Sequence, residues 1–137
     1  MYYDEIEVGA TASFEKTISE ADVYSFAGVT GDFNPAHVNQ RWAEASKFGT
    51  RVVHGMLTGS LFSTVFGTQL PGPGSIYISQ TLTFTAPVLL GDTVMATVRL
   101  AEKLEKGRLR FECRATKADG TVVVEGEAIL LPPRRPA

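Results

Sequence analysis

Three stretches of two-residue alternation, joined by very short turns, constrain this chain more than anything else in it. Val94, Ala96, Val98 and Leu100 share one parity, Leu109, Phe111, Cys113 and Ala115 share another, and Val122, Val124, Ala128 and Leu130 share a third. Alternation of this kind puts successive side chains on opposite faces of a strand. Glu105-Lys106-Gly107 and Asp119-Gly120 lie between the runs and read as turns. Connections that short join only antiparallel neighbours, so the second half of the chain is a meander with one wet face. Two further runs have the same period. Ile76, Ile78, Leu82 and Phe84 share a face opposite Tyr77, Ser79, Thr81, Thr83 and Thr85, with Gln80 as an amide on the apolar side. Ala12, Phe14 and Ile18 form a first strand in which Lys16 is the exception.

Between these runs the period changes. Leu57, Leu61, Phe62, Val65 and Phe66 recur at helical spacing over a helix predicted from Met56 to about Phe66, ended by Gly67 and Pro71-Gly72-Pro73-Gly74. An apolar helix must bury against something, and the apolar face of the sheet is the only candidate. The expected architecture is α+β: one antiparallel sheet of about five strands wrapped around a central apolar helix, in a single domain spanning 1–137. Two other helices are predicted. Ser19 and Asp22 make a capping box for one that ends near Gly28, and Asn34-Pro35 opens one that runs to about Ser46.

Bulk properties exclude several functions. A net charge of −2 leaves no basic footprint for nucleic acid. No apolar run approaches the ~20 residues of a membrane span, and the acidic start Met1-Tyr2-Tyr3-Asp4-Glu5 is not a signal peptide. The single cysteine, Cys113, allows no internal disulfide and points to a reducing compartment, so a cytoplasmic location is expected. The Pro- and Arg-rich tail after Leu131 has little to pack with and is expected to fray.

The residues able to carry chemistry cluster early. Asp32 lies two residues before the Asn34 cap and His37 falls in the first turn after it, so carboxylate and imidazole converge on one helix N-terminus and can share a water molecule. Spacing also permits a plainer reading, in which Asp32 only caps the helix and His37 is an ordinary surface residue. Gly55 stands where the central helix begins. Backbone N–H groups there lack intrahelical partners, meet the positive end of the helix dipole and allow close approach, which suits an oxygen gaining negative charge. The alternative is a glycine required for helix–sheet packing, and both can hold together. His54 either shapes the site or is structural. Gln80 reads as structural, and Cys113, on the apolar parity, as a buried thiol. No metal is expected, because neither histidine sits in a recognisable ligand spacing. No Gly-x-Ser-x-Gly elbow is present for a serine hydrolase.

Phe26-Ala27-Gly28-Val29-Thr30-Gly31-Asp32-Phe33-Asn34-Pro35-Ala36-His37 closely resembles the hydratase 2 motif of the MaoC-like, (R)-specific enoyl-CoA hydratases. Val53-His54-Gly55-Met56 resembles their second signature, and Gly74-Ser75-Ile76-Tyr77 and Phe84-Thr85-Ala86-Pro87-Val88 look like later blocks of the family. The resemblance implies a hot-dog fold and a homodimer whose sheets join edge to edge. It implies reversible syn addition of water to a trans-2-enoyl-CoA, giving a (3R)-3-hydroxyacyl-CoA. Asp32 and His37 would then activate the water, the Gly55 N–H would serve as oxyanion hole, and Asn34 would order the loop. No metal or redox cofactor is implied, since CoA is part of the substrate. The central helix would line an acyl tunnel, with Ser63 and Phe66 in its wall, and a bulky Phe66 would favour short to medium chains. Lys47, Arg51 and Arg41 are candidates for the CoA phosphates. The same fold also serves acyl-CoA thioesterases, carrier-protein dehydratases and non-catalytic acyl-thioester-binding subunits, and the hydratase chemistry serves both polyhydroxyalkanoate supply and fatty-acid metabolism.

Overall fold

In a computed structural model, which describes residues 1–137, the chain folds as one curved antiparallel sheet around one helix. The strands are β1 (Thr11–Thr17), β2 (Ile76–Gln80), β3 (Thr83–Phe84), β4 (Thr93–Lys103), β5 (Leu109–Lys117) and β6 (Val122–Leu131). Their order is β1-β4-β5-β6-β2, with β3 also paired to β6. β4, β5 and β6 form the expected meander, and their apolar parities from Val94 to Leu130 are buried except at Val122, where a register shift against β5 leaves Val122 half-buried and puts Val123 in the core. The helices are α1 (Glu20–Thr30), α2 (Pro35–Val38), α3 (Gln40–Glu44) and α4 (Gly55–Thr68). α4 lies along the concave face, against β4 and also β1, β5 and β6. Its Leu57, Leu61, Phe62, Val65 and Phe66 are all buried, each contributing about 1.5–3 kcal/mol. A sheet wrapped on a single buried helix is the hot-dog arrangement.

Six strands occupy five positions, because the fifth is broken. β2 pairs with Ala128–Leu131 and β3 with Val124–Glu125 of the same strand, so the two are one strand interrupted at Thr81-Leu82. Gly126 stands opposite the interruption. A Cβ there would lie 1.8 Å from the Thr81 carbonyl oxygen, so only glycine lets the broken strand approach. The predicted inward face of this strand is not realised. Ile76, Tyr77, Ile78 and Phe84 are all exposed, and it is Tyr77 that meets Phe66, edge to face with ring centroids 5.4 Å apart. The cause is a register shift between Tyr77 and Ser79 on an edge strand bonded on one side only. Gln80 behaves as a structural amide. It donates to the Thr81 and Glu127 carbonyls and accepts from the Tyr77 hydroxyl.

Three helix boundaries differ from expectation. The capping box of α1 forms, Asp22 N–H to Ser19 Oγ at 3.1 Å and Ser19 N–H to Asp22 at 2.9 Å, but the helix passes through Gly28 and stops at Gly31, whose φ of 79° is left-handed. The helix begun at Pro35 is broken at Asn39, which leaves helical geometry so that its side chain can accept from the Trp42 N–H and cap α3. α4 begins one residue early, at Gly55, and continues to Thr68. Part of the tail is seated on the body: Pro132 is buried, and Arg135 reaches the Asp4 carboxylate at 3.0 Å and stacks over the Tyr2 ring.

Candidate active site

The loop between α1 and α2 is built from its own side chains. Thr30 Oγ1 accepts from the Asp32 N–H at 3.2 Å, Asp32 Oδ1 from the Asn34 N–H at 3.2 Å, and Asn34 Oδ1 from the Ala36 N–H at 3.1 Å. Asn34 is therefore the cap of α2, as read from sequence, and Asp32 closes a turn in front of it with one oxygen, leaving Oδ2 free. Asp32 is exposed and His37 is buried. The next segment runs alongside: Val52 N–H donates to the Ala36 carbonyl and Val53 N–H to the Val88 carbonyl. Its Val52 carbonyl accepts from His37 Nδ1 at 2.7 Å. A carbonyl only accepts, so the proton of the neutral ring is on Nδ1, and Nε2 keeps its lone pair.

His54, the residue before α4, completes the group. Its ring stacks on that of His37 with centroids 3.8 Å apart and an interplanar angle of 27°, and its Nε2–H donates to the Asp32 carbonyl at 3.0 Å. One carboxylate oxygen of Asp32 and one ring nitrogen each of His37 and His54 lie within 4.8 Å of one another. Chain spacing had suggested no such trio. In it, one nitrogen of each histidine is engaged as an N–H donor to a backbone carbonyl.

Gly55 occupies the first turn of α4. The Leu57 and Thr58 N–H groups both donate to the His54 carbonyl, so the Gly55 and Met56 N–H groups are the ones without an intrahelical acceptor. A Cβ on Gly55 would come within 2.8 Å of the Phe84 ring, and one on Gly59 within 2.8 Å of Leu82 Cδ1. Gly55 therefore admits the broken strand, and its N–H stands at the positive end of a 14-residue helix.

These residues open on one cavity of about 540 Å³, walled by Asp32, His37, His54, Gly55, Thr58 and Phe84. A second, of about 430 Å³, lies between α4 and β2, lined by Ser63, Tyr77, Gln80 and Leu82, and Met56 borders both. Of the two residues expected in a tunnel wall, Ser63 lines the second cavity. Phe66 lines neither cavity: it is buried between Tyr77 and Phe111, edge to face, with ring centroids 5.4 and 5.0 Å away. Helical spacing could not separate the residue facing the cavity from its neighbour facing the core. Arg51 is likewise committed elsewhere. It pairs with Glu20 at 2.8 Å, holding that carboxyl below the usual range, and donates to Tyr24 and Gln40. Lys47 sits over the Phe48 ring at the cavity mouth, 5.2 Å from its centre. Sequence reasoning missed Thr58 and Phe84 as cavity residues. Thr58, one turn beyond His54, was findable from helical spacing, whereas Phe84 depends on the strand break and had no local signal.

A family model described as the MaoC-like domain matches residues 5–122. The chain is 50% identical to an (R)-specific enoyl-CoA hydratase of Rhodospirillum rubrum, over 98% of this chain and 93% of the relative. It is 46% identical to a 3-hydroxybutyryl-CoA dehydratase of Methylorubrum extorquens, over 98% and 86%. Among solved structures, an unliganded R-hydratase from Pseudomonas aeruginosa superposes with a TM-score of 0.94 at 44% identity, covering 98% of this chain and 86% of that one.

Proposed function

The chain belongs to the MaoC-like domain family, and from that premise we propose that it is an (R)-specific enoyl-CoA hydratase, a hydro-lyase that reversibly hydrates trans-2-enoyl-CoA to (3R)-3-hydroxyacyl-CoA. The observation that carries this reading is that Asp32 and His37 line one cavity, with a carboxylate oxygen and a ring nitrogen within 4.8 Å of each other, beside Gly55 and Met56, whose N–H groups have no intrahelical acceptor. Water is a poor nucleophile, and a positioned acid–base pair is worth about 10²–10⁴ in rate. The Asp32–His37 pair takes a proton from the water as its oxygen bonds to C3. The C2=C3 electron pair moves toward the thioester, whose oxygen gains enolate character at the Gly55 N–H. The pair then returns a proton to C2, so that one C=C bond is exchanged for a C–O and a C–H bond. One backbone donor of this kind contributes roughly 10²–10³ in rate. The pathway uses no metal or redox group, and CoA enters as part of the substrate.

The acyl chain extends past Met56 into the second cavity, along Ser63, and short to medium chains fit best. Lys47 and Arg41 are the cations free to meet the CoA phosphates. The working unit is a homodimer joined at the β2 edge. That edge has unpaired backbone groups and exposed Ile76, Ile78 and Phe84, with Met56 beside it, an apolar surface suited to a partner. The reading places the enzyme in the cytoplasm, in keeping with its lone buried thiol; no helix is long and apolar enough to cross a membrane. It suits polyhydroxyalkanoate supply as well as fatty-acid metabolism.

Crotonyl-CoA tests the proposal. Addition of protein should remove the enoyl-thioester ultraviolet absorbance without releasing free thiol, and Asp32→Asn should lower kcat by about 10²–10⁴. Thiol release without hydration would identify a thioesterase instead. Faster turnover of a long-chain enoyl-CoA than of crotonyl-CoA would overturn the chain-length reading.

A further inference from the structure

His54 touches all three parts of the site and is not needed as filler. It is 2% exposed. Its ring lies flat against His37 on one side and tilts against Phe26 on the other, with centroids 3.8 and 4.9 Å away. Its Nε2–H holds the Asp32 carbonyl at 3.0 Å, and its own carbonyl accepts the Leu57 and Thr58 N–H groups that start α4. The residue that follows it supplies the Gly55 N–H. Nδ1 of the same ring is buried and meets no protein partner. A phenylalanine would fill this space, stack on His37 and Phe26, and bury no polar nitrogen. What the imidazole adds is the bond to Asp32.

That bond has a specific mechanical use. The side chains of the Asp32 loop bond along the loop itself, from Thr30 to Ala36, and back to α1 through Thr30 Oγ1 and the Phe26 carbonyl at 2.8 Å, while the Ala36 carbonyl meets the Val52 N–H beyond it. The Asp32 carbonyl is where the loop is tied to the α4 end of the site. We infer that His54 is a positioning residue for the hydration reaction, fixing the Asp32 carboxylate relative to His37 and the Gly55 N–H through its Nε2–H bond to the Asp32 carbonyl. It neither takes the water proton nor touches the thioester. The inference rests on the hydratase reading for its kinetic consequence, but the tethering itself is measurable without turnover.

Three variants separate the contributions of the ring. His54→Phe keeps the stack and loses the bond. His54→Asn keeps a polar side chain whose amide nitrogen stops at the Nδ1 position, too short for Asp32. His54→Gln carries an amide nitrogen to the Nε2 position and can restore the bond without the ring. With crotonyl-CoA, Phe and Asn should lower kcat up to about 10²-fold, as displacement of a reacting group by about 1 Å does, with KM within about twofold of wild type, and Gln should recover most of the loss. Backbone hydrogen exchange at Asp32, Phe33 and Asn34 should accelerate in Phe and Asn and stay near wild type in Gln. Equal losses in all three variants, or wild-type kcat and exchange in His54→Phe, would overturn the inference. If the wild-type protein did not hydrate crotonyl-CoA, the proposed function would fall, and the exchange pattern would still decide whether His54 tethers the loop. Asn and Gln differ by one methylene, so that comparison stands even if the Phe variant fails to fold.

Discussion

Replacing His37 by asparagine or by glutamine should divide its two jobs. The imidazole donates from Nδ1 to the buried Val52 carbonyl and keeps Nε2 as an acceptor in the cavity. Asparagine places an amide nitrogen near the Nδ1 position, so Val52 keeps its donor while the acceptor is lost. Glutamine carries its amide out toward Nε2 and leaves the Val52 carbonyl without its side-chain donor. Both variants lose the 3.8 Å stack on His54, a loss that largely cancels between them. Loss of the acid–base partner costs about 10²–10⁴ in kcat, which is about 3–5.5 kcal/mol in barrier at about 1.4 kcal/mol per decade. Both variants should show it. Stability should differ: an orphaned buried carbonyl costs about 1–3 kcal/mol. At about 4 °C per kcal/mol for a chain of this size, His37→Gln should melt about 4–12 °C below His37→Asn. The assays are the decline of enoyl-thioester absorbance and thermal melts by circular dichroism. A His37→Asn enzyme with wild-type kcat would refute the acid–base role, and an asparagine variant melting no higher than the glutamine one would refute the anchoring role of Val52.

Gly126→Ala should be strongly destabilising, by about 3 kcal/mol or more, because its Cβ would meet the Thr81 carbonyl oxygen at 1.8 Å; an unchanged urea midpoint would contradict the strand-break geometry. Phe66→Ala should cost about 3–5 kcal/mol and leave the ranking of acyl chain lengths unchanged, whereas a stable variant with a shifted ranking would return Phe66 to the tunnel wall. In acid, two carboxyls matter. The Ser19 N–H holds Asp22 low, and the Leu89 N–H and Lys117 outweigh the upward push of burial to hold Asp92 low. Both favour the ionised native form, so unfolding free energy should be level above the ordinary carboxylate value of about 4 and fall as pH drops below it. In alkali the sign reverses: burial pushes the Cys113 thiol up to about 11, so stability present below the free-thiol value of about 8.5 should be lost as pH rises toward 11, and Cys113→Ala should flatten that slope.

The sheet and its helix were legible because their patterns are periodic and locally sufficient. Val94 to Ala115 alternates without ambiguity, and Leu57 to Phe66 has no second way to be buried. Asp32, Asn34 and His37 were legible because Asn34-Pro35 fixes the local turn. The rest depended on pairings between distant segments. Tyr77 rather than Ile78 faces Phe66 because of a register shift against β6, which no local pattern encodes. Asn39 breaks a helix its neighbours would continue, since its side chain competes for the backbone. His54 looked like one residue of a motif, yet its value comes from a ring and a carbonyl 17 and 22 positions earlier. Arg51 was a free cation in the sequence and a bound one in the fold.

The interruption at Thr81-Leu82 separates what must stay fixed from what can change. The strands β4, β5 and β6 carry the sheet's share of the buried core, with β1 paired along β4. One wall of each cavity comes instead from the broken strand, bonded to β6 alone and seated on α4 through Leu82 over Gly59 and Phe84 over Gly55. Substitutions at Leu82, Phe84 or Ile78 reshape the space for substrate without repacking the meander. A hot-dog scaffold of this kind can be retargeted to a new acyl group by editing a few half-exposed side chains on one strand, while the acid–base loop and the helix end that confronts it keep their spacing.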